Sequence, residues 1–461
     1  MKTPKILQNI FSLTVAEIAT KGITFFLYFY LARILSVEGY GIMSNVAAII
    51  GYLVVIVALG LREIGIRSTA GKPELVQKYF SNITSIKLFL AVIAFLVLCV
   101  YIYVNDFSYL VVISFIFGSI QLFAYAIQTE WIFIANERIH ILAVRQILVS
   151  AITLLGVLLF VKSINDLPLY FFIFSISLLI NNFWLIKFAN IVVKLECDIK
   201  FIKSLLKQSL PLGLADILTA IICSFGIVYL SQTSTNEQTG LFSAAFKLIT
   251  LSITPALILY NTYTSKISQS ETNFSKINIS QKYSTFVFAV GAIIAAVFFV
   301  FADFNLYITF GKEFLPATNL LKILSLYSLG FYISYSALPL LKYWKYEKKI
   351  LVAYLIATLI VVALTIILSN FYNSTGTAIA STIGELSFSI ILIIFLFKVL
   401  HKVFILKIFP FLAGAFSITL LSRFTIELFT SNINYLSIAI VFSVAIYFFI
   451  IVKFKIINTN V

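Results

Sequence analysis

The residues with the most chemical content are charges placed where a membrane helix should have none. Glu17 and Lys21 lie inside the first long apolar run, Ile6 to Leu35. A lysine or aspartate at the centre of such a helix costs roughly 2.5 to 3.5 kcal/mol on insertion scales. On a helix Thr14, Glu17, Lys21, Thr24 and Tyr28 recur at steps of three and four and form one polar stripe. A stripe of this kind is expected to face a protein-lined, wet interior. A Glu17–Lys21 ion pair that only ties the helix to its neighbours is the competing reading.

Later segments repeat the pattern. Ser243, Lys247, Thr250, Thr254 and Asn261 keep helical register, as do Lys322, Ser325, Tyr332 and Ser336. Lys87, Glu130, Asp216 and Glu385 complete the intramembrane charges. Each could instead be an interhelical pair or a side chain snorkelling to the interface, most readily Lys322 and Glu130, which lie near span ends. Pro255 interrupts one of these segments, where it frees a carbonyl and permits a bend that could gate a passage or stand as a static kink.

The elements that must hold these residues follow from composition. With 61% hydrophobic and 11% charged residues, against about 25% charged in soluble domains, most of the chain must sit in hydrocarbon. The formal net charge is +15, but the basic residues are scattered through short connections, so nucleic acid is not an expected partner. Cys99, Cys197 and Cys223 are far apart and indicate no disulfide framework. The first run is too long, too charged in its middle and too poor in a cleavage site for a signal peptide, so a retained helix is expected.

Apolar segments fall at about 8–34, 42–61, 79–104, 107–134, 141–161, 167–193, 209–231, 241–263, 283–310, 319–341, 351–369, 376–397, 404–421 and 434–452. The expected fold is therefore an all-α polytopic membrane protein with about fourteen transmembrane helices. Charge supports the partition: one face of the membrane holds only Arg33, Lys162, Lys312 and Arg423, and Lys21, Lys87, Lys247 and Lys322 lie within spans. Every other basic residue falls on the opposite face, so both termini are expected in the cytoplasm. Those basic inner loops also suit the anionic headgroups of membrane lipids. The outer connections, such as Ser36 to Gly41, Asn370 to Thr375 and Ser422 to Asn434, leave no room for a soluble catalytic module.

An internal repeat divides the chain. A shift of 199 residues superposes Leu13 on Leu212, Ala16 on Ala215, Tyr30 on Tyr229, Glu38 on Glu237 and Gly41 on Gly240, with 11 identities over residues 13 to 44. Apolar composition alone would give roughly three. Glu17 falls on Asp216. The expected organisation is a six-helix lobe over 1–193, a cytoplasmic linker over 194–208, a second six-helix lobe over 209–400 and an extra helix pair over 401–461. Halves of even span number share one orientation, as in parallel-repeat transporters, and enclose a cleft. His140 and His401 have no ligand cluster near them, and the chain has neither a phosphate-binding loop nor a GxSxG motif, so no metal, no cofactor and no enzyme activity are expected.

The run Ser36-Val37-Glu38-Gly39-Tyr40-Gly41, then Leu59-Gly60-Leu61 and Gly65-Ile66-Arg67, resembles the opening of the bacterial polysaccharide exporters that include the O-antigen flippases. These belong to the multidrug/oligosaccharidyl-lipid/polysaccharide (MOP) exporter superfamily. Glu130-Trp131 before Asn136-Glu137-Arg138, Gly240 to Leu248, and Gly376 to Thr382 leading to Glu385 extend the resemblance over about the first 400 residues. Thr377 stands where the family more often has a small apolar residue, and the spans after His401 exceed the common twelve.

The resemblance implies a MATE-like pair of pseudo-symmetric lobes in the bacterial inner membrane. It also implies translocation of an undecaprenyl-pyrophosphate-linked oligosaccharide to the outer leaflet by alternating access. Lys21, Lys87 and Lys247 would then hold the pyrophosphate, with Thr24, Thr250 and Asn261 facing the sugar, since bare polar groups cannot cross hydrocarbon. Glu17, Asp216 and Glu385 are the expected sites for a coupling proton or sodium ion or for ion pairing, and the membrane potential could also drive the step. Polysaccharide polymerase or chain-length proteins are the implied partners. A multidrug cation antiporter, a polymerase or ligase of the same pathway and a membrane scaffold are the alternatives.

Overall fold

The computed structural model describes residues 3–136, 138–189, 198–269, 273–344, 346–400, 408–429 and 435–453. Among the described residues all regular structure is helical. Backbone groups in hydrocarbon find no water, so a long apolar run closes its own hydrogen bonds by coiling. The chain forms two compact units, Met1–Val228 and Tyr229–Val461.

The first unit contains α1 (Thr3–Ala58), α2 (Leu61–Thr69), α3 (Pro73–Val104), α4 (Tyr109–Ala126), α5 (Glu130–Ala135), α6 (Ile139–Phe160), α7 (Leu167–Phe188) and most of α8 (Ile199–Thr233). Helix α3 shows how sequence sets orientation. Phe80, Ile83, Lys87, Ala91, Ala94 and Leu98 recur at steps of three and four and are buried, whereas Phe89, Leu96, Val97 and Val100 are exposed in the manner of a lipid-facing surface. Its N-terminal half packs Phe80, Ile83 and Ile86 with Leu61 and Ile64 of α2, Trp131 and Phe133 of α5, Leu142 of α6 and Leu205 of α8. Helix α8 crosses the α1–α2 turn at backbone distance. Gly60 has φ +67°, and a Cβ there would lie 2.8 Å from the Gly213 nitrogen. Only glycine meets both demands at Gly60.

The second unit contains the end of α8, then α9 (Asn236–Ser252), α10 (Thr254–Gln269), α11 (Asn273–Val300), α12 (Ala302–Thr309), α13 (Thr318–Tyr343), α14 (Glu347–Leu400), α15 (Ile408–Phe429) and α16 (Leu436–Lys453). The last helix pair is part of this unit's core. Phe411 and Ala415 of α15 and Tyr447 and Ile451 of α16 pack on Phe288, Ala292 and Ala296 of α11.

Ten helices among the described residues are long and apolar enough to cross a membrane, which makes the chain a multi-pass membrane protein. The expected number, fourteen, is not reached by that measure for two physical reasons. Two pairs of expected spans run together in α1 and α14, each broken at one non-helical residue, Ser36 (φ 63°) and Asn373 (φ 48°). Two other spans, at Val144–Phe160 and Leu436–Ile451, are shorter apolar helices. The outer loops expected at Ser36 to Gly41 and Asn370 to Thr375 are thus reduced to kinks. The kink at Asn373 is pinned by side chains, since Ser234 Oγ donates to Asn373 Oδ1 at 3.3 Å and Tyr229 Oη to Asn370 Oδ1 at 3.1 Å. The kink at Ser36 and the start of α9 after its N-cap Thr235 stand one repeat offset of 199 residues apart, so the sequence repeat is also a repeat of helix breaks.

Candidate functional site

Within the first unit the polar stripe of α1 reaches the surface. Lys21 is exposed, and Thr24 is half-buried with its hydroxyl donating to the Thr20 carbonyl at 2.8 Å, a bond that satisfies the hydroxyl within its own helix. The side chains of Glu17 and Thr14 lie outside the described residues. Asp216 is exposed on α8.

Lys87 has a different setting. It sits on the inward row of α3 with 1% of its surface exposed, and its Nζ has no hydrogen-bond partner among the described residues. The charged groups that act on it are Arg62 of α2 and Glu130 of α5. Glu130 is already engaged. Arg145 Nη2 donates to Glu130 Oε1 at 2.6 Å, and Gln128 Nε2 approaches Oε2 at 3.3 Å. Arg62 pairs with its neighbour Glu63 at 2.6 Å. The structure therefore joins Glu130 of α5 to Arg145 of α6 and buries Lys87 of α3, while the Arg62–Glu63 pair of α2 is partly exposed.

Sequence reasoning assigned Arg145 to an inner connection and missed it here. The signal that could have found it is positional: Arg145 stands in the second turn of the apolar helix α6, too far in for a loop charge. Trp131 was also missed as a structural partner. Its ring lies against Gly65 of α2, where a Cβ would be 2.7 Å from Cε3, so two of the motifs singled out in the sequence touch.

In the second unit Lys247 and Thr250 share one turn of α9. Both are half-buried, and Thr250 Oγ1 donates to the Lys247 carbonyl at 3.0 Å. The chain then breaks at Ile253, two residues before Pro255. Proline cannot donate to the carbonyl four residues back, that of Leu251, and this acceptor is taken by Thr254 Oγ1 at 2.9 Å. The next carbonyl, of Ser252, accepts from Tyr332 Oη of α13 at 2.8 Å. The helix is interrupted at one residue, Ile253, just before Pro255, and the freed acceptors are met by hydroxyls. Much of the stripe on α13 is spent on such packing, because Ser325, Tyr332 and Ser336 are buried. The side chain of Asn261 lies outside the described residues.

Glu385 on α14 is 4% exposed and accepts from Ser334 Oγ of α13 at 3.1 Å. Gly330, one turn from Ser334, brings the helices together here, since a Cβ at that position would lie 3.2 Å from Glu385 Cγ. Among the described residues no cluster of His, Cys, Asp and Glu could hold a metal ion, and Cys99 and Cys223 are not joined in a disulfide.

Comparison with known proteins gives these sites a context. Residues 6–264 match the family described as "Polysaccharide biosynthesis protein". A putative O-antigen transporter of Shigella dysenteriae is 26% identical over 248 residues, which are 52% of this chain and 62% of that protein. The chain thus matches less than two thirds of that relative's length. The fold superposes on the lipid II flippase MurJ in an inward closed conformation with a TM-score of 0.69 at 17% identity, over 95% of this chain and 97% of that one. It also superposes on an outward-facing multidrug resistance MATE family transporter of the MOP superfamily with a TM-score of 0.58 at 16% identity, over 85% and 95% of the two chains. The fold is that of MOP-superfamily transporters, and the chain belongs to the polysaccharide biosynthesis protein family.

Proposed function

We propose that this protein carries a lipid-linked oligosaccharide, built on undecaprenyl pyrophosphate, from the inner to the outer leaflet of the bacterial cytoplasmic membrane. The observation that carries the reading is the family match joined to the setting of Lys247, a half-buried cation beside Thr250 on a helix that breaks within two turns. The relative named as an O-antigen transporter and the fold shared with a lipid II flippase support the cargo class.

The physical obstacle is the head group, because a hydrated glycan and a diphosphate cannot enter hydrocarbon unaided. In this reading Lys247 and the exposed Lys21 bind the diphosphate by charge-assisted hydrogen bonds, and Thr24, Thr250 and Asn261 face the sugar. A diphosphate with two negative charges is driven outward by roughly 4 to 5 kcal/mol per 100 mV, inside negative. Glu385 serves best as the site of a coupling proton or sodium ion, since its carboxylate is buried; Glu17 and Asp216 are the other two sites considered. The cycle is alternating access by two six-helix halves, 1–193 and 209–400, joined by 194–208. The bend before Pro255 acts as a moving part, and both termini lie in the cytoplasm. Transport rather than catalysis is the activity, and the enzymes that polymerise the flipped unit are its partners.

The test is Lys247→Ala in cells that depend on the protein for surface glycan. Export should fall at least tenfold with the variant folded and inserted, and Lys247→Arg should retain most of it. Normal surface glycan in Lys247→Ala would remove the proposed contact.

A further inference from the structure

Tyr30 and Tyr229 stand one repeat offset of 199 residues apart, and so do Gly39 and Gln238. In the first unit Tyr30 Oη donates to the Val161 carbonyl at 2.7 Å, and a Cβ at Gly39 would lie 2.8 Å from Ile164 Cδ1. Val161 and Ile164 belong to the turn between α6 and α7. In the second unit Tyr229 Oη donates to Asn370 Oδ1 at 3.1 Å, and Gln238 Oε1 accepts from Ser374 Oγ. Asn370 and Ser374 flank the break in α14. The same two repeat positions therefore fasten the first hairpin of each half to the turn of its last one, and both turns lie on the membrane face that the charge partition leaves almost without lysine and arginine.

The two fastenings differ in what holds them. Tyr30 ends on the backbone of Val161, which is fully buried, and Gly39 seats the apolar end of Ile164. Asp166 braces that turn from within, its Oδ2 accepting from the backbone nitrogens of Ser163 and Lys162 at 2.9 and 3.0 Å. Water does not compete for an apolar contact or for a buried carbonyl.

At the α14 break the bonds run from side chain to side chain. Ser234 Oγ donates to Asn373 Oδ1 at 3.3 Å beside the two already named, and Asn370 and Asn373 are exposed. Water takes the place of an exposed bond of this kind at little net cost. Asn373 also has φ 48° and ψ −127°. A non-glycine residue keeps such a conformation only where its surroundings enforce it, so the break is biased toward release.

We infer that Tyr229, Ser234 and Gln238 form a strap across the outer break of α14 that opens in the folded protein, and that Tyr30 and Gly39 form its fixed counterpart in the first unit. Opening parts the outer end of α8 and the start of α9 from α14. In an alternating-access cycle the second unit is then the half whose outer end yields. Each of these contacts lies inside a single unit, so the strap can be tested whether or not the chain exports a lipid.

The experiment follows amide hydrogen exchange of the purified full chain in nanodiscs, in peptides that cover residues 158–168 and 367–377, each corrected for its intrinsic rate. Local opening in the native state appears there as faster exchange. The wild type should exchange at least tenfold faster across 367–377 than across 158–168. Tyr229→Phe with Ser234→Ala removes two of the strap's donors and should speed 367–377 at least threefold more, with 158–168 as in wild type. Tyr30→Phe should leave 158–168 within about twofold of wild type, because Ile164 keeps its seat on Gly39. Each substitution deletes one hydroxyl, so the variants are expected to fold. Equal protection of the two turns in the wild type, an unchanged 367–377 in the double variant, or a Tyr30→Phe effect as large as the double variant's overturns the inference.

Discussion

Gly65 of α2 lies flat against the indole of Trp131 of α5, so closely that a Cβ at Gly65 would stand 2.7 Å from ring atom Cε3. This contact fixes α5 on α2, and α5 carries Glu130 at its first residue. Gly65→Ala is therefore expected to push Trp131 out of its seat and destabilise the first unit by about 1 to 3 kcal/mol, the usual cost of overpacking. A thermal midpoint equal to wild type would show that the ring is free to move.

The Glu130–Arg145 pair should behave non-additively. Arg145→Met alone leaves a largely buried carboxylate without its partner, which costs up to about 3 kcal/mol, whereas Arg145→Met with Glu130→Gln removes both charges and should recover much of the loss. A double-mutant cycle on unfolding midpoints measures the coupling. Strictly additive losses would contradict the pairing.

Arg423 ties the last helix pair to the rest of the second unit. From α15 its guanidinium grips both carboxylate oxygens of Asp303 at 3.0 and 2.9 Å and also donates to the Val300 carbonyl and to Glu427. Asp303 is about one third exposed, so screening limits the effect, and Arg423→Met should cost about 1 to 2 kcal/mol. Limited proteolysis should then cut more readily near α15. An unchanged cleavage pattern would mean that the apolar seam on α11 holds the pair without Arg423.

At the break before Pro255, Tyr332→Phe removes the donor to the Ser252 carbonyl. The expected cost is about 1 to 2 kcal/mol, with the loss appearing as a lower thermal midpoint. Pro255→Ala allows the Leu251 carbonyl to regain a backbone donor and straightens the segment, and if the bend moves during transport, export should slow in a protein at least as stable as wild type. Unaltered export in Pro255→Ala would make the bend a static kink.

The helical architecture was legible because hydrocarbon punishes every exposed backbone group, which leaves long apolar runs only one conformation. Glycine-centred motifs were legible as well, although their purpose was not. Gly60 and Gly65 earn their places through backbone and ring contacts with Gly213 and Trp131, residues distant in the chain. The connections at Ser36 and Asn373 were located by hydropathy, but not their reduction to kinks, since each needs one non-glycine residue at positive φ, which no hydropathy pattern encodes. Intramembrane charges were visible as anomalies, but not their surroundings. The sequence marked Lys87 as a charge within a span and could not show that Glu130 is held by Arg145. The stripe on α13 misled in part, because periodic hydroxyls serve a neighbouring helix, as Tyr332 does, or their own backbone, as Ser336 does, as readily as a passage.

The central claim is that this chain moves the head group of a lipid-linked oligosaccharide across a bilayer. The most direct measurement places purified protein in sealed liposomes with a labelled lipid-linked oligosaccharide and follows the fraction that becomes accessible to a glycosidase added on the opposite side. The account predicts protein-dependent transfer that accelerates when the destination side is made positive and falls at least tenfold in Lys247→Ala. Wild-type liposomes that expose label no faster than empty ones would contradict it.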